Sequence, residues 1–134
     1  MKLSEQIAGL AGPALLVFTL SEGVNLHSIA NTTPAVIYLN GAILFVAGLA
    51  ILRAHNRWTF SWPVLVTLVG WMLLVGGVLQ MFAPGIQQSM SDATRLIFIA
   101  IFFVLATFLT VKAYVPDVVA ETKTRIVRRR RRKR

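Results

Sequence analysis

The sequence contains no cysteine, which excludes disulfide bonds, thiol catalysis and cysteine metal sites. Charged residues are also scarce, at 14% of the chain, whereas a soluble domain has about 25%. Hydrophobic residues make up 56% of the 134 residues. Because the polar side chains are too few to cover the surface of a soluble domain, we expect the chain to fold in lipid.

Positive charge is concentrated in one short segment, and the rest of the chain is neutral. The formal charge is +9, and nine cations stand in the last twelve residues, "KTRIVRRRRRKR". The five remaining Lys and Arg residues are balanced by five Asp and Glu residues. The composition therefore does not indicate the basic face that folded nucleic-acid-binding domains present.

The basic tail consists of Lys123, Arg125, Arg128, Arg129, Arg130, Arg131, Arg132, Lys133 and Arg134. We expect this tail to bind anionic headgroups of membrane lipids, at roughly 1 kcal/mol per basic residue near the surface. Specific nucleic-acid binding is not predicted, since no aromatic side chain interrupts the arginines. The alternative is a tail that is simply solvated, and that state is compatible with lipid contact.

Four apolar runs are long enough to cross a hydrocarbon core, which takes about 20 helical residues. They are predicted at residues 7–26, 35–53, 62–83 and 96–115. We therefore expect an all-α integral-membrane four-helix bundle with up-down topology. Residues 1–116 form the transmembrane domain in this prediction, and residues 117–134 form the basic cytoplasmic tail.

Residues that start and stop helices stand at the ends of these runs. Pro34 suits the first turn of the second helix, and Ser61 is a candidate N-cap for the third. Ser91 or Asp92 can open the fourth helix. Pro116 is expected to end or kink that helix, because proline has no backbone N–H to donate.

Lysine and arginine in the short connections predict the orientation in the membrane. The first connection, 27–34, has neither residue type, whereas the second carries Arg53 and Arg57. With an even number of spans, these two arginines lie on the same side as Lys2 and the tail. The positive-inside rule makes that side cytoplasmic and leaves only Arg95 on the opposite side.

Glycines repeat at seven-residue spacing on the second and third helices. Gly41 and Gly48 share one face of the second helix, and Gly70 and Gly77 share one face of the third. Small residues let membrane helices approach closely. We expect an antiparallel hairpin packed along these glycines. Chance spacing is the alternative, because glycine is common in membrane helices.

Polar residues recur at one depth near the non-cytoplasmic ends of the spans. Glu22 is predicted at the centre of a cluster, with Asn25, Asn40 and Gln80 as hydrogen-bond partners and Arg95 as a counter-ion. An acid costs roughly 2.5 to 3.5 kcal/mol at the bilayer midplane and less near the interface. The alternative is therefore a Glu22 carboxylate that reaches water at headgroup level. A role in handling protons or cations is a further, less favoured hypothesis.

The sequence contains no recognisable catalytic, metal or cofactor motif. The two histidines, His27 and His55, are predicted on opposite sides of the membrane and cannot share a metal. A zinc-binding HExxH motif, a phosphate-binding loop and a Ser-His-Asp set are all absent. We therefore expect a protein that is not an enzyme and that has no metal and no cofactor.

A turn and the helix after it carry a motif within residues 48–77. The turn reads His-Asn-x-Trp and the helix reads Thr-x-x-Gly-Trp, at His55, Asn56, Trp58, Thr67, Gly70 and Trp71. In this motif, which covers about a quarter of the chain, the protein resembles a group of small uncharacterised bacterial integral-membrane proteins. The resemblance implies four helices and a bacterial membrane location, here the inner membrane, and it implies no activity. The arginine tail lies outside the pattern.

The turn itself is predicted to be an interfacial helix connection made by His55, Asn56, Trp58 and Trp62. Asn56 suits a left-handed helix C-cap, and the two tryptophans suit the headgroup belt. Trp71 lies mid-span, where its indole N–H needs an acceptor such as Thr67 or a carbonyl. A partner-binding role for the turn is the less favoured alternative.

Two functions remain open on the sequence alone. The first is an accessory or scaffold subunit that packs against a larger membrane complex or against itself. The second is a subunit of a small oligomeric transporter or channel. Transport of an ion or polar solute needs polar groups along the whole path. The cytoplasmic halves of the first three spans are almost wholly apolar, which favours the accessory protein.

Overall fold

The protein is all-helical in the part of the chain that the structure describes. This computed structural model describes the backbone of residues 2–132, and the side chains of these residues except 29, 30 and 116–132. The helices are α1 Leu3–Val24, α2 Leu26–Ala30, α3 Pro34–Ala54, α4 Val64–Phe82, α5 Pro84–Ser89 and α6 Asp92–Arg132. No strand is present within residues 2–132.

Four of these helices are long and apolar enough to cross a membrane. They are α1, α3, α4 and the first part of α6, Asp92–Val115, with mean hydropathies between 1.6 and 2.5. Their bounds lie within a few residues of the four predicted runs. The prediction of four long apolar helices is therefore confirmed.

The structure adds helix where the sequence predicted loops or a stop. The short helices α2 and α5 occupy the first and third connections. The helix α6 continues past Pro116 to Arg132, so of the two outcomes predicted for this proline, an end or a kink of the helix, the end is wrong. A proline removes one backbone donor and crowds the preceding turn, but helices in apolar surroundings tolerate it when the freed carbonyl is satisfied elsewhere. Pro13 lies inside α1 in the same way.

Two of the predicted helix caps are present and two are wrong. Pro34 is the first residue of α3, and the Ser91 hydroxyl accepts from the Thr94 N–H at 3.3 Å. Ser61 does not cap α4, because its hydroxyl pairs with Thr59 at 3.0 Å instead. Asn56 is not a left-handed C-cap, since no non-glycine residue in the described chain has a positive φ.

The long helices form two antiparallel pairs, α3 with α4 and α1 with α6. The four glycines predicted to pack lie at the α3–α4 contact. A Cβ atom added to Gly48 would lie 2.5 Å from the Leu74 nitrogen, and one added to Gly77 would lie 2.5 Å from the Phe45 nitrogen. The two backbones therefore touch at these positions, which only glycine permits.

The α1–α6 pair is held by small residues and one long-range hydrogen bond. Gly12 faces the backbone of Thr110, whose nitrogen would lie 2.8 Å from an added Cβ. Ala8 is fully buried beside this contact. The Tyr114 hydroxyl donates to the Gly9 carbonyl at 2.9 Å. The first and last long helices are therefore neighbours, and the α3–α4 hairpin is inserted between them in sequence.

The core and a half-open cavity divide the bundle along its length. We call the end with residues 2–4 and the 55–63 turn the proximal end, and the end with α2 and α5 the distal end. The core joins α1, α4 and α6 in the proximal half, and its buried residues are Ala8, Leu15, Val66, Val69, Leu73, Ala106, Leu109 and Ala113. In the distal half a cavity separates the two pairs.

Candidate functional site

The distal cavity has a volume of about 560 Å³ and lies between the two helix pairs. Its walls are mostly apolar, and they include Leu15, Leu44, Trp71, Leu73 and Phe102. Leu15 and Leu73 also belong to the proximal core, which closes the inner end of the cavity. Pockets of this size and character are typical of sites for small apolar or amphipathic molecules.

Polar side chains line the same cavity, and four of them belong to the cluster predicted from the sequence. These four are Glu22, Asn40, Gln80 and Arg95. Asn25 is not part of the wall, because its side-chain amide donates to the carbonyl of Ser21 at 2.8 Å on the exposed surface of α1. The structure thus brings four of the five predicted residues to one cavity.

The bonds within this group differ from the predicted ones. The amide of Asn40 donates to Gln80 Oε1 at 2.9 Å, so these two side chains satisfy each other across the α3–α4 contact. Their meeting depends on Gly41, where an added Cβ would lie 2.8 Å from the Gln80 Cβ. Glu22 is half-buried on α1 and makes no hydrogen bond to either amide in the part of the chain that the structure describes. Glu22 therefore does not form the hydrogen bonds to Asn40 and Gln80 that were predicted for it at the centre of the cluster.

Arg95 is the buried cation of the cavity, with only 6% of its surface exposed. Its Nη2 donates to the carbonyl of Gln87 at 2.7 Å and weakly to that of Gln88 at 3.5 Å. In the part of the chain that the structure describes, its Nε and Nη1 have no hydrogen-bond partner, and neither has the buried Gln87 Oε1. None of the three guanidinium nitrogens is bonded to Glu22, so the predicted counter-ion role of Arg95 is wrong. The short helix α5 supplies carbonyls that hold the guanidinium instead.

A second polar group lies at the proximal end and joins α1, the 55–63 turn and α4. His55 is 2% exposed. The Ser4 hydroxyl lies 2.8 Å from His55 Nε2, and the Thr67 hydroxyl lies 3.2 Å from His55 Nδ1. Thr67 also accepts from the Arg57 N–H at 3.1 Å. These bonds explain the extended backbone of His55 at the end of α3, which points the imidazole inward.

We call Ser4, His55 and Thr67 the clamp, because their hydrogen bonds join α1, the 55–63 turn and α4. Burial lowers the pKa of His55, and the positive charge of Arg57 lowers it further. The neutral imidazole needs one donor and one acceptor, and the hydroxyls of Ser4 and Thr67 can serve in either sense. The Ser4–His55 pair resembles part of a catalytic triad, but the third position holds Thr67, where a triad has a carboxylate. Ser4 is itself buried, at 7% exposure, and it does not line the cavity.

The interfacial turn presents aromatic side chains at the surface beside this clamp. Trp58 is 63% exposed, and its indole donates to Asn56 Oδ1 at 2.9 Å. Trp62 is half-buried. Thr67 does not serve Trp71 as the sequence suggested, because its hydroxyl is engaged with His55 and Arg57. Trp71 instead lies in the wall of the distal cavity.

The remaining predicted residues bear on lipid and metal binding. The basic tail residues from Lys123 onward lie outside the described side chains, and Lys133 and Arg134 lie outside the described backbone as well. Lys112, which precedes the tail, places its ammonium 5.6 Å from the centre of the Phe108 ring. Among the described residues, no three His, Asp or Glu side chains lie together as a metal site would require.

Several contributors were missed by sequence reasoning. Ser4, Gly12 and Thr19 are buried on one face of α1 together with Ala8, and their spacing of four to seven residues was the available signal. No sequence pattern indicated Gln87 or the α5 carbonyls, because the connection that contains them was predicted to be a loop. The contact between Ser4 and His55 spans 51 positions, which no local pattern indicates.

The chain was compared with known proteins in three ways. No family model matches the sequence. No curated protein and no solved structure matches it either.

Proposed function

We propose that the protein is a non-enzymatic integral-membrane subunit, an accessory or scaffold protein that packs against a larger membrane complex or against itself. The observation that carries the proposal is how little of each apolar span the chain covers by itself. Within the most apolar window of each span, between 17% and 33% of the residues are buried inside the chain. The rest of these surfaces faces lipid or another protein.

One exposed surface has the spacing expected of a helix–helix interface. Apolar residues on α6 repeat every four and three residues, as in the contact seam of a coiled coil. They are Ile97, Ile101, Val104, Phe108, Val111 and Val115, each between 37% and 65% exposed. This α6 stripe points away from the α1 contact made by Ala106, Leu109 and Ala113. We propose that the α6 stripe receives the partner helix.

Cross-linking tests this proposal cleanly because the chain has no cysteine. Val104→Cys places one thiol on the α6 stripe, and Val46→Cys places one on α3 at nearly equal exposure, 65% against 63%. Photo-activated cross-linking in native membranes, followed by mass spectrometry, is expected to capture one defined protein from Val104→Cys and much less from Val46→Cys. Equal capture from both sites, or capture from neither, would overturn the proposal.

The proposed location is the bacterial inner membrane, with both termini cytoplasmic. Support comes from the charges at the proximal end, where Lys2, Arg53 and Arg57 lie with the part of α6 that leads into the tail. The distal end has Arg95 as its cation among the described side chains, and that group is buried. Reporter fusions after Asn56 and Arg134 are expected to read as cytoplasmic, and fusions after His27 and Gln88 as periplasmic. A periplasmic reading at Asn56 would overturn the orientation.

The alternative function, a subunit of a small transporter or channel, has less support. The distal cavity contains polar groups, but it ends at the proximal core. Ala8, Ala106 and Leu109 are fully buried there, at 0% exposure. A polar solute needs polar groups along its whole path, and this apolar layer offers none within a single chain. The accessory role is therefore the proposal that the described geometry favours.

A further inference from the structure

The distal cavity has an amphipathic arrangement. Its polar groups lie at the distal end, and each has an apolar wall residue deeper on the same helix. Leu15 is seven residues deeper than Glu22, Leu73 is seven deeper than Gln80, and Phe102 is seven deeper than Arg95. Seven helical residues span about 10 Å. The cavity therefore offers one polar end and roughly 10 Å of apolar depth.

The polar end contains a buried cation, Arg95, that is not paired with an anion among the described residues. Arg95 carries a full positive charge and five N–H donors, and it is 94% buried, since 6% is exposed. Within the described residues only Nη2 is bonded, to backbone carbonyls of α5, and Nε and Nη1 have no partner there. A buried cation with open donors is strongly disfavoured unless an anion or other acceptor meets it. Carboxylate and phosphate oxygens are the acceptors that guanidinium groups bind best.

No side chain or carbonyl among the described residues is hydrogen-bonded to Nε or Nη1 of Arg95. Glu22 is the carboxylate that lines the cavity, and it is not bonded to any Arg95 nitrogen. The Asn40 amide N–H donates to Gln80 Oε1 at 2.9 Å, and neither amide is hydrogen-bonded to Arg95 in the part of the chain that the structure describes. The Gln87 side chain also lines the cavity, and its buried Oε1 has no partner among the described residues, so it can accept from a hydroxyl or amide of a ligand. A bound molecule that accepts from Nε and Nη1 would therefore satisfy donors that no bond among the described residues satisfies.

We propose that the distal cavity binds an amphiphile with one anionic group, a phosphate or a carboxylate, held by Arg95. The part of its apolar chain next to that group lies between the two helix pairs, and the rest leaves through the open side of the cavity. A membrane phospholipid and a free fatty acid share this chemistry. The volume of about 560 Å³ is within the range of small-molecule sites. This inference does not depend on the partner surface of α6, so either can fail without the other.

The binding test uses the full chain purified in a non-ionic detergent without added lipid. The probes are palmitate, its neutral counterpart hexadecanol, and diacyl phosphatidylglycerol, each also in a brominated form that quenches tryptophan on contact. Trp58 and Trp62 are replaced by Phe in the quenching experiments, so that Trp71 in the cavity wall is the one tryptophan left and reports occupancy. Native mass spectrometry counts the bound molecules. Anionic probes are expected to bind at least about ten-fold more tightly than hexadecanol, the effect of one hydrogen bond to a charged group.

Substitution of Arg95 separates the charge from the apolar cavity. Arg95→Gln is expected to abolish the preference for the anionic probes while hexadecanol still binds, and Arg95→Lys is expected to retain part of it. Arg57→Gln, at the exposed proximal turn, is the matched control and is expected to bind as the parent does. Equal binding of palmitate and hexadecanol by the parent, or an unchanged preference in Arg95→Gln, would overturn the proposal.

A second variant keeps the test decisive if Arg95→Gln does not fold. Gly76 lines the cavity, and a Cβ added there would meet nothing within 4 Å. Gly76→Leu is therefore expected to fill part of the cavity and to weaken all three probes at least about ten-fold. Gly85→Leu is the control, since Gly85 is equally open but outside the cavity wall. Selective binding of palmitate would identify a free fatty acid, and selective binding of phosphatidylglycerol a membrane lipid. Unweakened binding in Gly76→Leu would place the probes elsewhere and overturn the site.

Discussion

Two adjacent glycines on α4 provide a sharp test of the helix packing. Gly77 faces α3, where an added Cβ would lie 2.5 Å from the Phe45 nitrogen and 2.6 Å from the Gly41 carbonyl oxygen. Gly76 is its neighbour in sequence, and an added Cβ there would meet nothing within 4 Å. The same substitution, Gly to Ala, therefore probes contact and open space within one turn of one helix.

The size of the expected effect follows from these distances. Ordinary contact begins at 3.4 Å, so Gly77→Ala must move α3 and α4 apart by 3.4 minus 2.5, or 0.9 Å. A separation of that size would stretch the Asn40–Gln80 bond from 2.9 Å beyond hydrogen-bonding distance if it were transmitted fully. Overpacking of this kind costs about 1 to 3 kcal/mol. Gly76→Ala is expected to be neutral or to stabilise α4 by up to about 1 kcal/mol.

The assay is unfolding of the purified protein in mixed micelles by a denaturing detergent, followed by tryptophan fluorescence and circular dichroism. We expect the free energies of unfolding of the two variants to differ by about 2 kcal/mol or more, with Gly77→Ala the less stable. Equal stabilities would refute the close α3–α4 contact. Destabilisation by Gly76→Ala alone would place that contact on the wrong face of α4.

Three further predictions concern the clamp and the tail. Thr67→Val leaves the Arg57 N–H and one imidazole nitrogen without a side-chain partner. It is therefore expected to lower the free energy of unfolding by about 1 to 3 kcal/mol in the same assay. Thr107→Val, on an exposed site, is the control and should match the parent. The pKa of His55 is lowered from 6.5 by burial and by Arg57. Below pH 6.5 the unfolded chain therefore binds more protons than the folded chain does. Stability is expected to be full above that pH and to fall as the pH drops toward the lowered pKa. His55→Gln should remove this pH dependence, and its persistence would assign it to another group. Deletion of residues 123–134 is expected to weaken association of a tail fusion with anionic vesicles, measured by sedimentation, and added salt should do the same; equal binding to neutral vesicles at low salt would contradict the electrostatic account.

The four long helices could be predicted from the sequence because their cause is local. A run of about 20 apolar residues is itself the signal for a helix of membrane-spanning length. The seven-residue glycine spacing likewise predicted the α3–α4 hairpin, since neighbours in sequence joined by a short turn have few other arrangements. Pro34 and Ser91 marked helix starts because a first-turn proline and a capping hydroxyl act within one turn of the chain.

The pairing of α1 with α6 required the tertiary structure, because it joins segments about a hundred residues apart in sequence, such as Gly9 and Tyr114. The same holds for the clamp, where Ser4 meets His55. The sequence placed Glu22, Asn40, Gln80 and Arg95 at one depth, because helical rise converts residue number into height. It could not assign their bonds, since a hydrogen bond depends on the rotation of each helix about its axis and on side-chain direction. That rotation, set by glycine contacts and core packing, joined Asn40 to Gln80. It left two buried nitrogens of Arg95, which lines the distal cavity, without a partner among the described residues.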